Sequence, residues 1–179
     1  MRRREEQVFP RTFMGGRLRR LRASDLEAFQ AYRAIPELGR FQGWTPMSDA
    51  EASEFLARMS GTSLFNPGEW LQLGIADLES DVLVGDIGIH LSENGDTAEL
   101  GFTLHPAAQG RGVATAAVRE ALQLLFAATS AQRVLGITDS RNEPSIRLLE
   151  RTGFRYQEAR DIVFRGEPCC EKIYALARG

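Results

Sequence analysis

The stretch Gln109-Gly110-Arg111-Gly112-Val113-Ala114-Thr115 is the part of the chain best suited to chemistry. Its glycines let the backbone turn tightly and approach a ligand, and the apolar segment that follows reads as a helix whose first N–H groups lack intrahelical partners. Aided by the helix dipole, those N–H groups form a site for an anion such as a pyrophosphate. The same glycines would serve a plain tight turn, but the flanking strand and helix favour the ligand. A Gly-Lys-Ser/Thr phosphate loop is excluded, because the single lysine is Lys172. A dinucleotide loop fits in part: Thr115 stands at the third glycine position, and Asp139 follows the next strand, where a ribose-binding acid would lie.

Other reactive side chains are few. Glu99, Asp86 and His90 fall on neighbouring predicted strands and could act as bases, although strand carboxylates are mostly solvated or paired. His105, beside Pro106, reads as structural. With two histidines and no CxxC or HxxxH spacing, no metal site is expected. The only cysteines, Cys169 and Cys170, are adjacent and cannot staple distant segments, which fits a reducing cytoplasmic setting.

These residues need elements to hold them. Residues 16–22 read as a strand, and Ser24 or Asp25 caps a helix running to about Ala34. Ser48 and Glu51 form a capping box that opens a second helix to about Met59. The intervening loop carries Phe41, Gly43 and Trp44; these aromatics, with Trp70, read as core packing rather than as a pocket lining. Three strands follow at 70–76, 83–91 and 98–105 as an antiparallel meander. A helix over 113–128 repeats Val118, Leu122 and Leu125 at helical spacing. A strand at 133–138, a short helix at 142–152 closed by Gly153, and a hairpin of 154–164 with 169–177 about Arg165-Gly166-Glu167-Pro168 complete the order. The strand–helix–strand from Ala98 to Thr138 requires a parallel crossover, so the sheet is mixed.

Composition agrees. Hydrophobic residues at 43%, charged residues at 26% and a mean hydropathy of -0.25 suit one globular domain. The formal charge of 22 minus 24, or -2, lacks the basic excess of a nucleic-acid binder. The 21 arginines against one lysine carry no functional reading. The charged start, Met1 to Glu6, is followed by no apolar run of leader length, and no later run approaches a membrane span. Residues 1–15 read as an extension and 16–179 as a single domain, with no membrane or nucleic-acid partner.

Two motifs in order resemble the GNAT family of acyl-CoA-dependent N-acyltransferases. Gln109, Gly112 and Ala114 match its Gln/Arg-x-x-Gly-x-Gly/Ala loop, and Asn142-x-x-Ser145-x-x-Leu148-Leu149-x-x-x-Gly153-Phe154 is similar to its second segment. Leu18-Arg19 to Asp25-Leu26, the Phe41 to Trp44 loop and Ala98-Glu99-Leu100-Gly101-Phe102 resemble the RimJ/RimL branch, which acetylates ribosomal-protein N-termini and borders enzymes acting on small amines. The resemblance spans residues 16–177. It implies an α/β fold of the α+β kind: a mixed, mostly antiparallel sheet of about seven strands flanked by about four helices.

It also implies an acetyl-CoA-dependent N-acetyltransferase acting on a primary amine, either a peptide N-terminus or a small molecule, as a monomer or homodimer. On this reading Phe102, Thr103 and Leu104 pair with the pantetheine arm, and Asn142 assists them while capping its helix. The residues Gln109, Gly110, Arg111, Gly112, Val113, Ala114 and Thr115 hold the pyrophosphate. Glu99 is the preferred base and Ser145 the partner of the departing thiolate. Many members carry a tyrosine where this chain has Leu149, a departure that lends weight to a non-catalytic acyl-CoA-binding module. Tyr174 is an alternative proton donor.

Overall fold

The computed structural model describes residues 8–179; the charged start from Met1 to Glu6 lies outside them. Among the described residues there are eight strands: β1 (Arg11–Phe13), β2 (Gly16–Arg20), β3 (Trp70–Asp77), β4 (Leu83–Leu91), β5 (Thr97–Leu104), β6 (Arg133–Asp139), β7 (Arg155–Phe164) and β8 (Glu167–Ala177). They form one open sheet in the order β1-β2-β3-β4-β5-β6-β8-β7. Every neighbouring pair is antiparallel except β5 and β6. The helices are α1 (Leu26–Arg33), α2 (Pro36–Gly39), α3 (Asp49–Gly61), α4 (Val113–Ala128) and α5 (Glu143–Arg151).

The fold class is as expected, with an added strand and an added helix. The extra strand, β1, comes from residues read as an extension, and it pairs with β2 from Arg11↔Leu18 to Phe13↔Gly16. The extra helix, α2, is a single turn started by Pro36, whose missing N–H costs nothing at that position. The last hairpin turns on two residues only, because Arg165 (φ 53°) and Gly166 (φ 81°) both adopt the left-handed conformation of a tight hairpin turn. Glu167 and Pro168 therefore join β8. A single parallel pair leaves no repeated βαβ units, so the dinucleotide-binding alternative falls.

Local rules explain most boundaries. Ser48 and Glu51 form the expected box at the start of α3, with the Ser48 N–H donating to Glu51 Oε2 at 2.8 Å. Asp25 does not cap α1 through its side chain; its carboxylate is taken by the Arg19 guanidinium in two bonds of 2.8 Å. On α4, Val118, Leu122 and Leu125 face the sheet as their spacing requires, and they pack in one core with Ile75, Ile87 and Leu100. A second core of Phe29, Tyr32 and Leu56 joins α1 and α3.

The two cores lie on opposite sheet faces, which follows from strand alternation. Ile87 points into the α4 core, and its neighbour Asp86 points at α1. There Asp86, fully buried, accepts hydrogen bonds from Arg33 at 2.7 and 2.8 Å, from Gln72 at 2.6 Å and from the Tyr32 hydroxyl. Burial and the Asp86 charge hold the Tyr32 hydroxyl well above its usual pKa. Asp86 is thus committed to anchoring α1 and is unavailable as a base. Asp86→Ala strands a buried guanidinium and should cost about 3–5 kcal/mol of unfolding free energy in urea titration. Tyr32→Phe, which leaves the ion pair intact, should cost only about 1 kcal/mol. Equal losses would refute the assignment of Asp86–Arg33 as the anchor.

Candidate functional site

The central feature is a parting of strands. The parallel pairing of β5 with β6 covers only Thr97↔Arg133, Ala98↔Val134 and Glu99↔Leu135. Beyond Glu99, β5 stays on β4 as far as Leu104↔Gly85, while β6 stays on β8 as far as Asp139↔Glu171. The side chain of Leu149, from α5, packs against Gly136 in the wedge: a Cβ on Gly136 would lie 2.4 Å from Leu149 Cδ2.

Backbone alternation identifies the groups that face this gap. His105 N–H donates to Val84 C=O at 2.7 Å, so odd-numbered residues of β5 turn their backbone toward β4 and even-numbered ones toward the gap. Leu100, Phe102 and Leu104 therefore present their polar groups there. Two of the carbonyls are already bonded: Gln42 Nε2 donates to Phe102 C=O at 3.1 Å, and Gln109 Nε2 donates to Leu104 C=O at 2.9 Å. The Phe102 and Leu104 N–H groups remain directed into the gap. Thr103, whose backbone is spent on β4, borders the gap as a buried residue.

At the end of the gap the chain passes through a short 3-10 turn, Pro106–Ala108, whose Ala107 N–H donates to His105 Nδ1 at 3.1 Å; His105 is structural. Gly110 and Gly112 have φ of 73° and 78°, and a Cβ at either would meet nothing within 4 Å. Glycine is needed here for its left-handed backbone. Gly112 is the N-cap of α4 and supplies no side-chain cap, so the N–H groups of Val113, Ala114 and Thr115 are left for a ligand.

Gap and helix terminus open into one cleft of about 770 Å³. Every residue expected to contact the donor lines it except Arg111, which is exposed outside it. Phe102, Thr103, Leu104, Gln109, Gly110, Gly112, Val113, Ala114, Thr115 and Asn142 are present, with Ser145 among them. Asn142 caps α5 by accepting the Ser145 N–H at 3.4 Å. A smaller cavity of about 30 Å³ lies in the wedge and is bounded by Leu100, Gly101, Gly136, Ser145 and Leu149.

Glu99 lies on the other side of the sheet, cross-strand from His90, and lines neither cavity. Burial raises its pKa above the ordinary glutamate value, and Glu171 adds to the effect against the opposing charges of His90 and Arg160. Trp70, half exposed, has its ring 5.4 Å from that of His90 on the same face. Tyr174 is buried in the α4 core, with its hydroxyl 3.3 Å from Glu150, and reaches neither cavity, so it is no proton donor to the site. Asp139, the acid of the dinucleotide alternative, is engaged by Arg141 and by the Cys169 thiol. The Arg141 bond holds Asp139 well below the carboxylate range, and the Asp139 bond pushes Cys169 up to about 11. Cys169 is an unreactive thiol.

The loop of Phe41, Gly43 and Trp44, whose aromatics read as core packing, instead roofs the gap, with Phe41 lining both cavities. Arg33 lies 4.4 Å above the Trp44 ring, and Arg165 donates to the carbonyls of Gln42 and Trp44 at 3.0 and 2.6 Å. These contacts bring Gln42 to Phe102 and place Phe41 at the border of both cavities.

Comparison with known proteins gives a consistent picture. Residues 17–155 match the acetyltransferase (GNAT) domain. An uncharacterized N-acetyltransferase p20 of Bacillus licheniformis is 28% identical over 141 residues, covering 77% of this chain and 78% of that protein. The crystal structure of a GNAT-family acetyltransferase from Bacillus anthracis superposes with a TM-score of 0.82 at 20% identity, over 94% of this chain and 97% of that one. RimL, a ribosomal L7/L12 alpha-N-protein acetyltransferase solved with coenzyme A, superposes with a TM-score of 0.78 at 14% identity, over 93% and 96% of the two chains.

The raised pKa of Glu99 is directly measurable. In a ¹³C NMR titration of side-chain carboxyls, Glu99 should titrate above the ordinary glutamate range and Glu51, held down by the Ser48 N–H, below it. A Glu99 midpoint at or below that of Glu51 would refute the desolvated environment.

Proposed function

As a member of the GNAT acetyltransferase family, this chain is an acetyltransferase, and we propose that it transfers the acetyl group of acetyl-CoA to a primary amine by direct attack. The observation that carries this reading is the continuity of the cleft: the strand gap, with its free N–H groups, opens straight onto the uncapped N-terminus of α4. Together these accommodate a thioester arm at one end and a pyrophosphate at the other.

Each residue then has a task. Val113, Ala114 and Thr115 bind the pyrophosphate through their N–H groups, while Asn142 and the β5 edge hold the pantetheine. Glu99 removes a proton from the acceptor ammonium, since only the neutral amine has a lone pair to give. The nitrogen attacks the thioester carbon, and the Phe102 or Leu104 N–H donates to the carbonyl oxygen as it gains charge, an effect of about 3 kcal/mol for a well-placed donor. The oxygen's electron pair then re-forms the carbonyl as the carbon–sulfur bond breaks, the Ser145 hydroxyl hydrogen-bonds the leaving thiolate, and the proton shed by the new amide nitrogen converts that thiolate to the coenzyme A thiol. The acceptor is a protein N-terminus or a small amine; the structural likeness to RimL, an alpha-N-protein acetyltransferase, supports the first. The proposed setting is the cytoplasm.

One observation favours a second reading. Leu149 stands where many family members carry a tyrosine, so a module that binds acyl-CoA without turnover is the alternative.

Calorimetric titration should show micromolar binding of acetyl-CoA and none of NADH; the reverse would overturn the proposal. A thiol-release assay across peptide N-termini and small amines should then find an acceptor, and complete silence with acetyl-CoA still bound would select the binding module. With an acceptor in hand, Glu99→Gln should lower kcat by about 10²–10⁴-fold, most at low pH, where the amine is protonated. Ser145→Ala should lower kcat by about tenfold with an unchanged Kd for CoA. Near-normal turnover in both variants would sink the catalytic assignment.

A further inference from the structure

Each turnover that begins with an ammonium loads a proton onto Glu99, and that proton must leave before the next acceptor is deprotonated. Glu99 is partly buried, and among the described residues no hydrogen bond engages its carboxylate. Its surroundings decide where the proton can go. The charged and titratable groups that act on it are His90 from β4, Glu171 from β8 and Arg160 from β7, while β6 sets Leu135 opposite it. Arg160 and Glu171 are joined to each other at 3.0 Å, so neither is free to take a proton. Asp86, further along the same face of β4, is spent on Arg33, Gln72 and Tyr32.

His90 is left. It stands directly across from Glu99 in the β4–β5 register, so the two side chains share one face with Cβ atoms about 5 Å apart. A proton crosses that distance between the side-chain ends directly or through one water. On its other side His90 packs against the half-exposed Trp70 ring, and it is itself partly exposed. The imidazole thus stands between a partly buried carboxylate and solvent. Its two nitrogens allow it to accept a proton at one and release a proton from the other.

Building on Glu99 as the base, we infer that His90 is the proton relay that restores the Glu99 carboxylate after each turnover. The proton taken from the acceptor ammonium passes from the Glu99 carboxyl to one imidazole nitrogen, and the imidazolium gives a proton to bulk water from the other. The charge of His90 also opposes the burial that raises the Glu99 pKa, which eases this return to the carboxylate.

The first test needs no acceptor. In a ¹³C NMR titration of the free protein, His90→Gln should raise the Glu99 midpoint further, because an opposing charge is lost; an unchanged midpoint would overturn the pairing. The second uses the acceptor found by thiol release. In dilute buffer His90→Gln should lower kcat by about tenfold, with the acceptor KM and the Kd for CoA near wild type. The lost turnover should return as buffer concentration rises, and in His90→Ala as imidazole is added, whereas wild-type kcat stays flat in both. In a Glu99→Gln background His90→Gln should cause no further loss, since the relay acts through Glu99. Wild-type turnover of His90→Gln in dilute buffer, or a loss that neither buffer nor imidazole restores, would overturn the relay alone. Normal turnover in Glu99→Gln, or no turnover of any acceptor by the wild type, would overturn the reading of Glu99 as base, and the relay with it.

Discussion

The structure turns on the point where β5 and β6 cease to pair. A sheet that stops bonding in its middle leaves polar backbone groups without partners, each costing about 1–3 kcal/mol if buried unmet. Here the deficit is met unevenly. The Phe102 and Leu104 carbonyls are satisfied by the amides of Gln42 and Gln109, while the N–H groups of the same residues are left facing the gap. What remains is an edge rich in donors. Such an edge suits a ligand that brings oxygen atoms, and in the proposed reaction it is best suited to an oxygen that becomes negative.

Two sets of contacts keep the gap open. From the α5 side, Leu149 fills the space that a side chain on residue 136 would need. From the α1 side, buried ion pairs fix the helix that carries the roof. Arg19 binds Asp25, Arg33 binds Asp86, and Arg33 in turn supports the Trp44 ring. Buried ion pairs add little net stability over well-packed apolar groups, but they penalise any other placement of their partners. That property matters more here than stability, because Gln42 reaches Phe102 only if the loop from α2 to α3 is held in place. The tip of the β7–β8 hairpin closes the arrangement through Arg165.

The parts of the fold set by local rules were legible in the sequence. The α4 bounds follow from its glycine N-cap and its apolar spacing, and the α3 start follows from Ser48 and Glu51. The glycine loop was legible too, since its meaning depends on the strand before it and the helix after it. What escaped depends on contacts between distant segments. Residues 11–13 are too few to show alternation, and they become a strand only because β2 offers a free edge. Gln109 lines the cleft as its motif implies, but no local signal shows that its side chain turns back to brace Leu104. Gln42, sixty residues from its partner, carries no local signal at all. The bond from Arg119 to the Arg151 carbonyl is likewise created by the packing of α4 against α5.

The gap also connects the two faces of the sheet, which explains how one scaffold can separate two recognition problems. The glycine loop, α4 and α5 lie on one face, with Ser145 at the wedge; Glu99, His90 and Trp70 lie on the other. A thioester held in the gap would be exposed to both. In the proposed reaction, donor recognition rests on backbone groups of β5 and α4, whose positions are set by the core. Acceptor recognition in that proposed reaction rests on side chains of the strands on the other face, among them His90 and Trp70. Substitutions on the acceptor face leave the β5 edge and the α4 terminus unchanged, so acceptor choice can vary at little cost to donor binding. The reverse is not true. Gly112 and Gly136 are fixed by backbone conformation and by close packing respectively, and changing either alters the cleft itself.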